Sequence, residues 1–203
     1  VPKPTVADHL RAIQAALGPK KIRWFVFGAQ AVIAAGAVRQ TADLDITTED
    51  VPASRLVEVL RKAGLTLRDD VEGVEDLVEH HRILPMVHAR TGYQVDVVRA
   101  GPGLEQQMFE RSIRRRMGRV QIPFVETNDL LVLKTLAGRE KDLEDVRALL
   151  RSASKEIDLT VVQSRLRELG ALIDDSTLVD LFDQQVAATA KKPSKRHPRK
   201  AQR

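Results

Sequence analysis

The stretch Phe27-Gly28-Ala29-Gln30-Ala31, followed by Arg39-Gln40-Thr41-Ala42-Asp43-Leu44-Asp45-Ile46, decides how this chain is read. The apolar run 22–27 predicts a buried strand that delivers the chain to Gly28, where backbone can approach a ligand closely. A short Ala-rich helix over 30–35 then turns its unpaired N–H groups and positive dipole end toward that point, an arrangement suited to phosphate. Strand–glycine–helix turns are common, so the carboxylates that follow carry the weight. On a strand over 43–47, residues i and i+2 share a face; Asp43 and Asp45 converge while Leu44 and Ile46 point the other way. Two such carboxylates repel each other and resist burial, and a hard divalent cation, magnesium or manganese, relieves both costs. The bland alternative is a solvated acidic strand face.

Asp96 bears on that choice. It interrupts the apolar strand 93–98, in Gln94-Val95-Asp96-Val97-Val98, where a charge needs a partner. Pairing of that strand beside 43–47 would gather three aspartates around one or two metal ions; a salt bridge to Arg99 is the competing account. Further on, Lys134 lies in an apolar helix, aimed either at a phosphate or carboxylate or outward along its own stem. Asp142 and Asp145 share a helical face, and capping or pairing with Arg139 or Lys141 accounts for them, Asp145 above all. His80-His81 has no further ligand at metal spacing and reads as polar surface.

Outward from these motifs, the periodicity predicts helices over 6–17, 53–63, 104–117, 127–137, 142–150, 159–169 and 177–188. Further strands are expected over 82–88 and 120–125, with a Gly92-containing hairpin before 93–98 and Pro123 marking an edge strand. Gly170 is expected to cap its helix, Thr127 or Asn128 to start the helix through 137, and the acidic stretch 68–80 is left open between loop and helix. There is no regular βαβ alternation, so the fold class is α+β, with a mixed sheet followed by C-terminal helices. The expected division is a core over 1–126, a helical region over 127–190 and a disordered basic tail over 191–203.

The charge balance follows this division. The 203 residues carry a net charge of +5, but the tail KKPSKRHPRKAQR holds seven of the 33 basic residues and no acid. The body keeps 26 basic against 28 acidic residues and is nearly neutral. The tail suits either phosphate contact or solubility. Absence of cysteine rules out disulfides, thiolate catalysis and zinc–thiolate sites. No signal-peptide core or membrane-length apolar run occurs, so a cytoplasmic protein with no membrane partner is expected. Aromatic residues make up only 3% of the chain, which argues against a base-stacking platform.

The joint order Gly28-Ala29-x-Ala31, Gly36, Arg39-x-Thr41, Asp43-Leu44-Asp45, Asp96 and Lys134…Ala137-Gly138-Arg139-x-Lys141-Asp142-Leu143-x-Asp145 resembles the DNA polymerase β-like nucleotidyltransferase superfamily. Within it the chain is similar to bacterial minimal nucleotidyltransferases related to abortive-infection and toxin–antitoxin transferases, over about residues 22–150. The resemblance implies a polymerase β-like palm, magnesium dependence, and transfer of an NMP from an NTP such as ATP to RNA (tRNA ends being the precedent) or to protein. It also implies a protein antitoxin as partner. It assigns Asp43, Asp45 and Asp96 to metal and catalysis, with Asp96 helping to deprotonate the acceptor. Gly28 and Ala29 would cradle the triphosphate, and Arg39, Thr41, Lys134 and Arg139 are nucleotide-contact candidates. One departure is Gly28-Ala29, where the family has Gly-Ser or Gly-Gly; alanine keeps the N–H but offers no hydroxyl.

Two other functions compete. Transfer to a small hydroxylated molecule, as in antibiotic nucleotidyltransferases, would use an acidic pocket that Asp69, Asp70, Glu72, Glu75, Asp76 and Glu79 can supply. A degenerate transferase that binds nucleotide without turnover rests on Ala29. Arg111, Arg114, Arg115, Arg116 and Arg119 can recruit a polyanionic acceptor or simply form a solvated helix face.

Overall fold

The computed structural model describes residues 4–68, 70–72 and 74–190. Asp69 of the acidic stretch and the tail 191–203 fall outside the described residues.

The chain builds a seven-stranded mixed sheet. Its strands are β1 (Trp24–Phe27), β2 (Asp43–Thr48), β3 (Leu65–Leu67), β4 (Ile83–His88), β5 (Gln94–Arg99), β6 (Ile113–Met117) and β7 (Val120–Phe124). They lie in the order β3-β4-β5-β2-β1-β7-β6. β2 is central, antiparallel to β1 and parallel to β5, so the strand bearing the paired aspartates is flanked on both sides. Leu44, Ile46, Val95 and Val97 are fully buried on its apolar face.

Helix α1 (Val6–Leu17) starts at a reciprocal capping box of Thr5 and Asp8 and buries Leu10, Ile13 and Leu17. It packs against β7 and α3 (Ala53–Arg61). The short α2 (Gly28–Ala34) begins where β1 ends and leans on β1 and β2. The acidic stretch contributes α4 (Val74–Glu79), and α5 (Leu104–Arg111) precedes β6. Helices α6 (Thr127–Ala137), α7 (Glu140–Ser152), α8 (Leu159–Ile173) and α9 (Leu178–Ala190) pack on one another, with α6 also touching α2. One continuous apolar core runs from Leu10 through Phe25 and Phe124 to Phe182. Among the described residues, no helix is long and apolar enough to cross a membrane.

Four sequence expectations are corrected. The helix expected over 104–117 stops at Arg111, and 113–117 pairs antiparallel with β7 as strand β6. Arginine favours helix, but pairing with a neighbouring strand overrides that local preference. The arginine run is therefore a strand in part, with Arg114 and Arg116 exposed and Arg115 turned inward to Glu156 and Thr127. Pro123 does not mark an edge: β7 sits between β1 and β6. Val125 donates its N–H to the Val26 carbonyl, and N–H groups two residues apart face the same neighbour. The donor Pro123 lacks would thus face β1, whose register with β7 is limited to Val26↔Phe124. Glu126, not Thr127 or Asn128, caps α6, accepting from the Asp129 N–H. Gly170 lies inside α8, which ends at Asp174 in a left-handed conformation; a Cβ on Gly170 would sit 2.3 Å from the Asp175 carbonyl oxygen.

Candidate active site

The site forms where the C-terminal end of β1 meets the N-terminal end of β2. Gly28 carries φ +62°, the left-handed region glycine tolerates, and Ala29 does not share it. The Cβ of Ala29 therefore leaves the turn unstrained. A Cβ on Gly28 would sit 1.8 Å from Oδ2 of Asp45. The glycine is thus required by the carboxylate that leans over it, and the nearby Ala29 N–H pulls that carboxyl down against the effect of burial. Asp43, two residues back, is exposed, and its carboxylate accepts a hydrogen bond from the Thr41 hydroxyl.

Asp96 arrives by strand pairing. In the parallel β2–β5 register it stands directly opposite Asp45, with Pro85 of β4 on its other side. Arg99, its conceivable salt-bridge partner, instead donates to the Val78 carbonyl and lies near Asp50. The cation nearest in influence to Asp96 is Arg68, itself engaged by Asp70. Burial, then the charges of Asp43 and Asp96, pushes the Asp45 carboxyl up to about 6. Burial raises Asp96 as well, against the pull of Arg68.

These residues suit a hard divalent cation. The donors are carboxylate oxygens, clustered at one sheet position and pushing one another toward protonation, a cost that a dication removes. Among the described residues, no three His, Cys, Asp or Glu side chains already close on a single ion-sized point. Asp43 is held by the Thr41 hydroxyl, a hydrogen bond that a cation would replace.

The second half of the site comes from the helices. Lys134, buried on α6, bridges Asp142 at 2.9 Å and Asp145 at 2.8 Å on α7. The left-handed Gly138 ends α6 and lets α7 fold back to make these contacts. Arg139 also binds Asp142, at 2.5 Å, and Arg39 pairs with Asp145. Burial pushes Asp142 up, but hydrogen bonds from Arg139 and Lys134 outweigh it and hold the carboxyl below its usual range. Asp145 is thus structural, but its partners are Arg39 and Lys134, not Arg139 or Lys141. The charges of Lys134 and Arg139 are felt at Asp45, which sets these two candidates on the side of the sheet carboxylates.

Sequence reasoning missed Tyr93 and Gln30. The chain's one tyrosine stacks on buried His9, with ring centroids 4.6 Å apart, and donates its hydroxyl to the Asp43 carbonyl at 3.3 Å. Burial and the Asp43 charge push the phenol up, and the buried Gln30 side chain beside it pulls the other way. A polar residue in an otherwise Ala-rich helix was the available signal for Gln30; nothing local marked Tyr93. His80 and His81 are exposed beside Asp76, as expected for polar surface.

Comparison with known proteins places this geometry. Residues 8–189 match the family described as "Nucleotidyltransferase of unknown function (DUF6036)". The solution structure of the antibiotic-resistance factor ANT(2'')-Ia superposes with a TM-score of 0.57 at 12% identity, covering 83% of this chain and 94% of that one. An antigenic nucleotidyltransferase-like protein from Paracoccidioides brasiliensis gives 0.53 at 14%, covering 90% and 95%. The lincomycin-bound lincosamide antibiotic adenylyltransferase LnuA gives 0.52 at 14%, covering 74% and 99%. At such identities the likeness speaks for the fold alone. A segment of 74 residues, 36% of this chain, is 42% identical to the Arabidopsis thaliana protein "ABC transporter I family member 11, chloroplastic". The chain spans only 26% of that relative's length. With a polymerase β-like fold and a family match running almost end to end, the chain belongs to the DUF6036 family and is a nucleotidyltransferase.

Proposed function

We propose that the enzyme moves an NMP from an NTP to a hydroxyl of RNA, a tRNA end being the first choice, in a magnesium-dependent reaction. The observation that carries this reading is the Asp45 carboxylate seated over Gly28 and directly opposite Asp96, with Asp43 on the same strand face. Asp43, Asp45 and Asp96 would hold the metal, which supplies positive charge against the triphosphate and the developing pyrophosphate. The N–H groups at Gly28 and Ala29 offer donors to phosphate oxygens. Arg39, Lys134 and Arg139 add charge from the helical side. In the transfer, the acceptor oxygen bonds to the α-phosphorus while the bond to the β-phosphate oxygen breaks. Pyrophosphate departs with the electron pair, and the hydroxyl proton passes to a carboxylate. Asp96 suits that task because its burial makes it a stronger base than an exposed aspartate.

Transfer to a protein hydroxyl, and action as the toxin of a toxin–antitoxin pair, remain within the same chemistry and follow from the resemblance. A second reading, transfer to a small-molecule antibiotic, is supported by the fold neighbours ANT(2'')-Ia and LnuA. Incubation with magnesium and each labelled NTP, alone, with total tRNA or with an aminoglycoside, separates these. Label entering RNA is the expected result. Label on polypeptide or on an aminoglycoside would replace the acceptor, and tight nucleotide binding without any transfer would sink the enzyme reading in favour of a nucleotide-binding scaffold.

A further inference from the structure

A cavity of about 830 Å³ lies between the loop carrying Val38 and Arg39 and the helices α7 and α9. Its charged lining is Arg39, Lys141, Arg147 and Arg151 against Glu144 and Asp145. The acids do not cancel the bases. Asp145 is engaged by Lys134 and Arg39, and Arg147 by Glu140. Lys141 and Arg151 are exposed and make no ion pair among the described residues. Lys141, Glu144, Asp145, Ala148 and Arg151 follow helical spacing along one stripe of α7. Lys141 and Arg151 stand roughly 15 Å apart along the axis, longer than one phosphate and suited to a run of backbone.

Asp43, Asp45 and Asp96 do not line the cavity; the connection to them runs through Lys134. Arg39 and Asp145 line it; Asp145 binds Lys134, and the Lys134 charge acts on Asp45. Among the described residues, no aromatic side chain lines it, so base stacking is not what would hold a ligand there. Val38, fully solvent-exposed, stands at the rim. A polycationic aminoglycoside would meet Lys141 and Arg151 at like charge, whereas phosphate would meet two cations that outnumber the one unpaired acid of the lining, Glu144.

We propose that this cavity is the acceptor subsite, seating the phosphate backbone of an RNA strand whose terminal hydroxyl reaches Asp43, Asp45 and Asp96. The inference rests on the reading that NMP is transferred to RNA. It is tested in the full chain carrying Asp43→Asn to stop turnover, by fluorescence anisotropy with a labelled single-stranded RNA oligonucleotide. Adding Lys141→Glu and Arg151→Glu should weaken RNA binding ~10-fold or more and flatten the salt dependence by a log–log slope of about 1.4. Affinity for a fluorescent NTP analogue should stay the same, and Lys141→Arg with Arg151→Lys should restore RNA binding. If the double glutamate variant melts early, Lys141→Gln with Arg151→Gln replaces it, with a smaller expected loss of about 3-fold. Unchanged RNA affinity and salt slope would overturn the subsite. So would adenylylation of an aminoglycoside by the unaltered enzyme with a KM that the glutamates lower. Failure of the underlying reading looks different: the unaltered protein then neither binds nor labels RNA. If instead it labels RNA and the two glutamates, placed in the active enzyme with Asp43 retained, leave the RNA KM unchanged, the subsite alone is wrong.

Discussion

Two clusters of acidic side chains in this protein meet opposite fates. On the sheet, Asp43, Asp45 and Asp96 stand together with no ion pair among the described residues, and burial with mutual repulsion drives Asp45 up to about 6. On the helices, Asp142 and Asp145 are more deeply buried yet fully paired, through Lys134, Arg39 and Arg139. The contrast teaches that burial alone does not mark a functional carboxylate. A compensated acid holds structure, whereas an uncompensated one stores a cost that a bound cation can relieve.

The largest expected effect falls on the uncompensated side. Asp43→Asn should lower NMP transfer by about 10³-fold, near 4 kcal/mol of transition-state stabilisation, by removing one charged donor from the metal site. Circular dichroism and melting temperature should hardly move, since Asp43 is exposed. Unchanged turnover in that variant would remove Asp43 from the site.

Next comes the compensated side. Asp142→Ala strands Lys134 in a buried setting with half its pairing gone and should cost about 3 kcal/mol in urea unfolding. A loss under about 0.5 kcal/mol would show that the helical cluster is not holding the fold. Gly28→Ala tests the cradle between the two clusters. Its Cβ would displace the Asp45 carboxylate, and its φ of +62° disfavours any side chain. A stability loss of about 1–2 kcal/mol is expected, with activity lost far out of proportion to it. Full activity would mean that Asp45 does not act from its position over the turn.

The smallest effect has the opposite sign. Asp45 titrates near 6 when folded against 3.8 as the model-compound value, so the folded protein holds that proton more tightly. Stability is fully present below about pH 4, falls as pH rises through 6, and stays lower above it. Asp45→Asn, which mimics the protonated form, should therefore stabilise the metal-free protein by about 1–2 kcal/mol at pH 7.5 and hardly at all at pH 4. Chemical denaturation at the two pH values reads the difference. An equal shift at both would show that ionisation of Asp45 is not the cause.

Legibility in the sequence was uneven for physical reasons. The Asp43-Leu44-Asp45 alternation and the glycine at 28 are local facts, because strand pleat and left-handed φ are set within a few residues. Asp96 stood out as a charge in an apolar run, although its partner was not readable. The error over 113–117 has the same root. An arginine-rich segment after α5 has no local reason to leave the helix; only β7 alongside it supplies the pairing. Tyr93 was invisible because its hydroxyl meets Asp43 fifty residues away in sequence.

By itself the sequence determined which residues could do chemistry: paired aspartates on one strand face, a glycine free to turn left-handed, and a lysine among apolar helical residues. The tertiary structure alone decided their company. Parallel pairing of β5 with β2 put Asp96 opposite Asp45, and the turn at Gly138 folded α7 back so that Lys134 and Arg39 meet Asp142 and Asp145. Coulomb energy and desolvation depend on distance through space and not along the chain. Which carboxylates are neutralised, and which are left for a cation, is therefore a property of the fold.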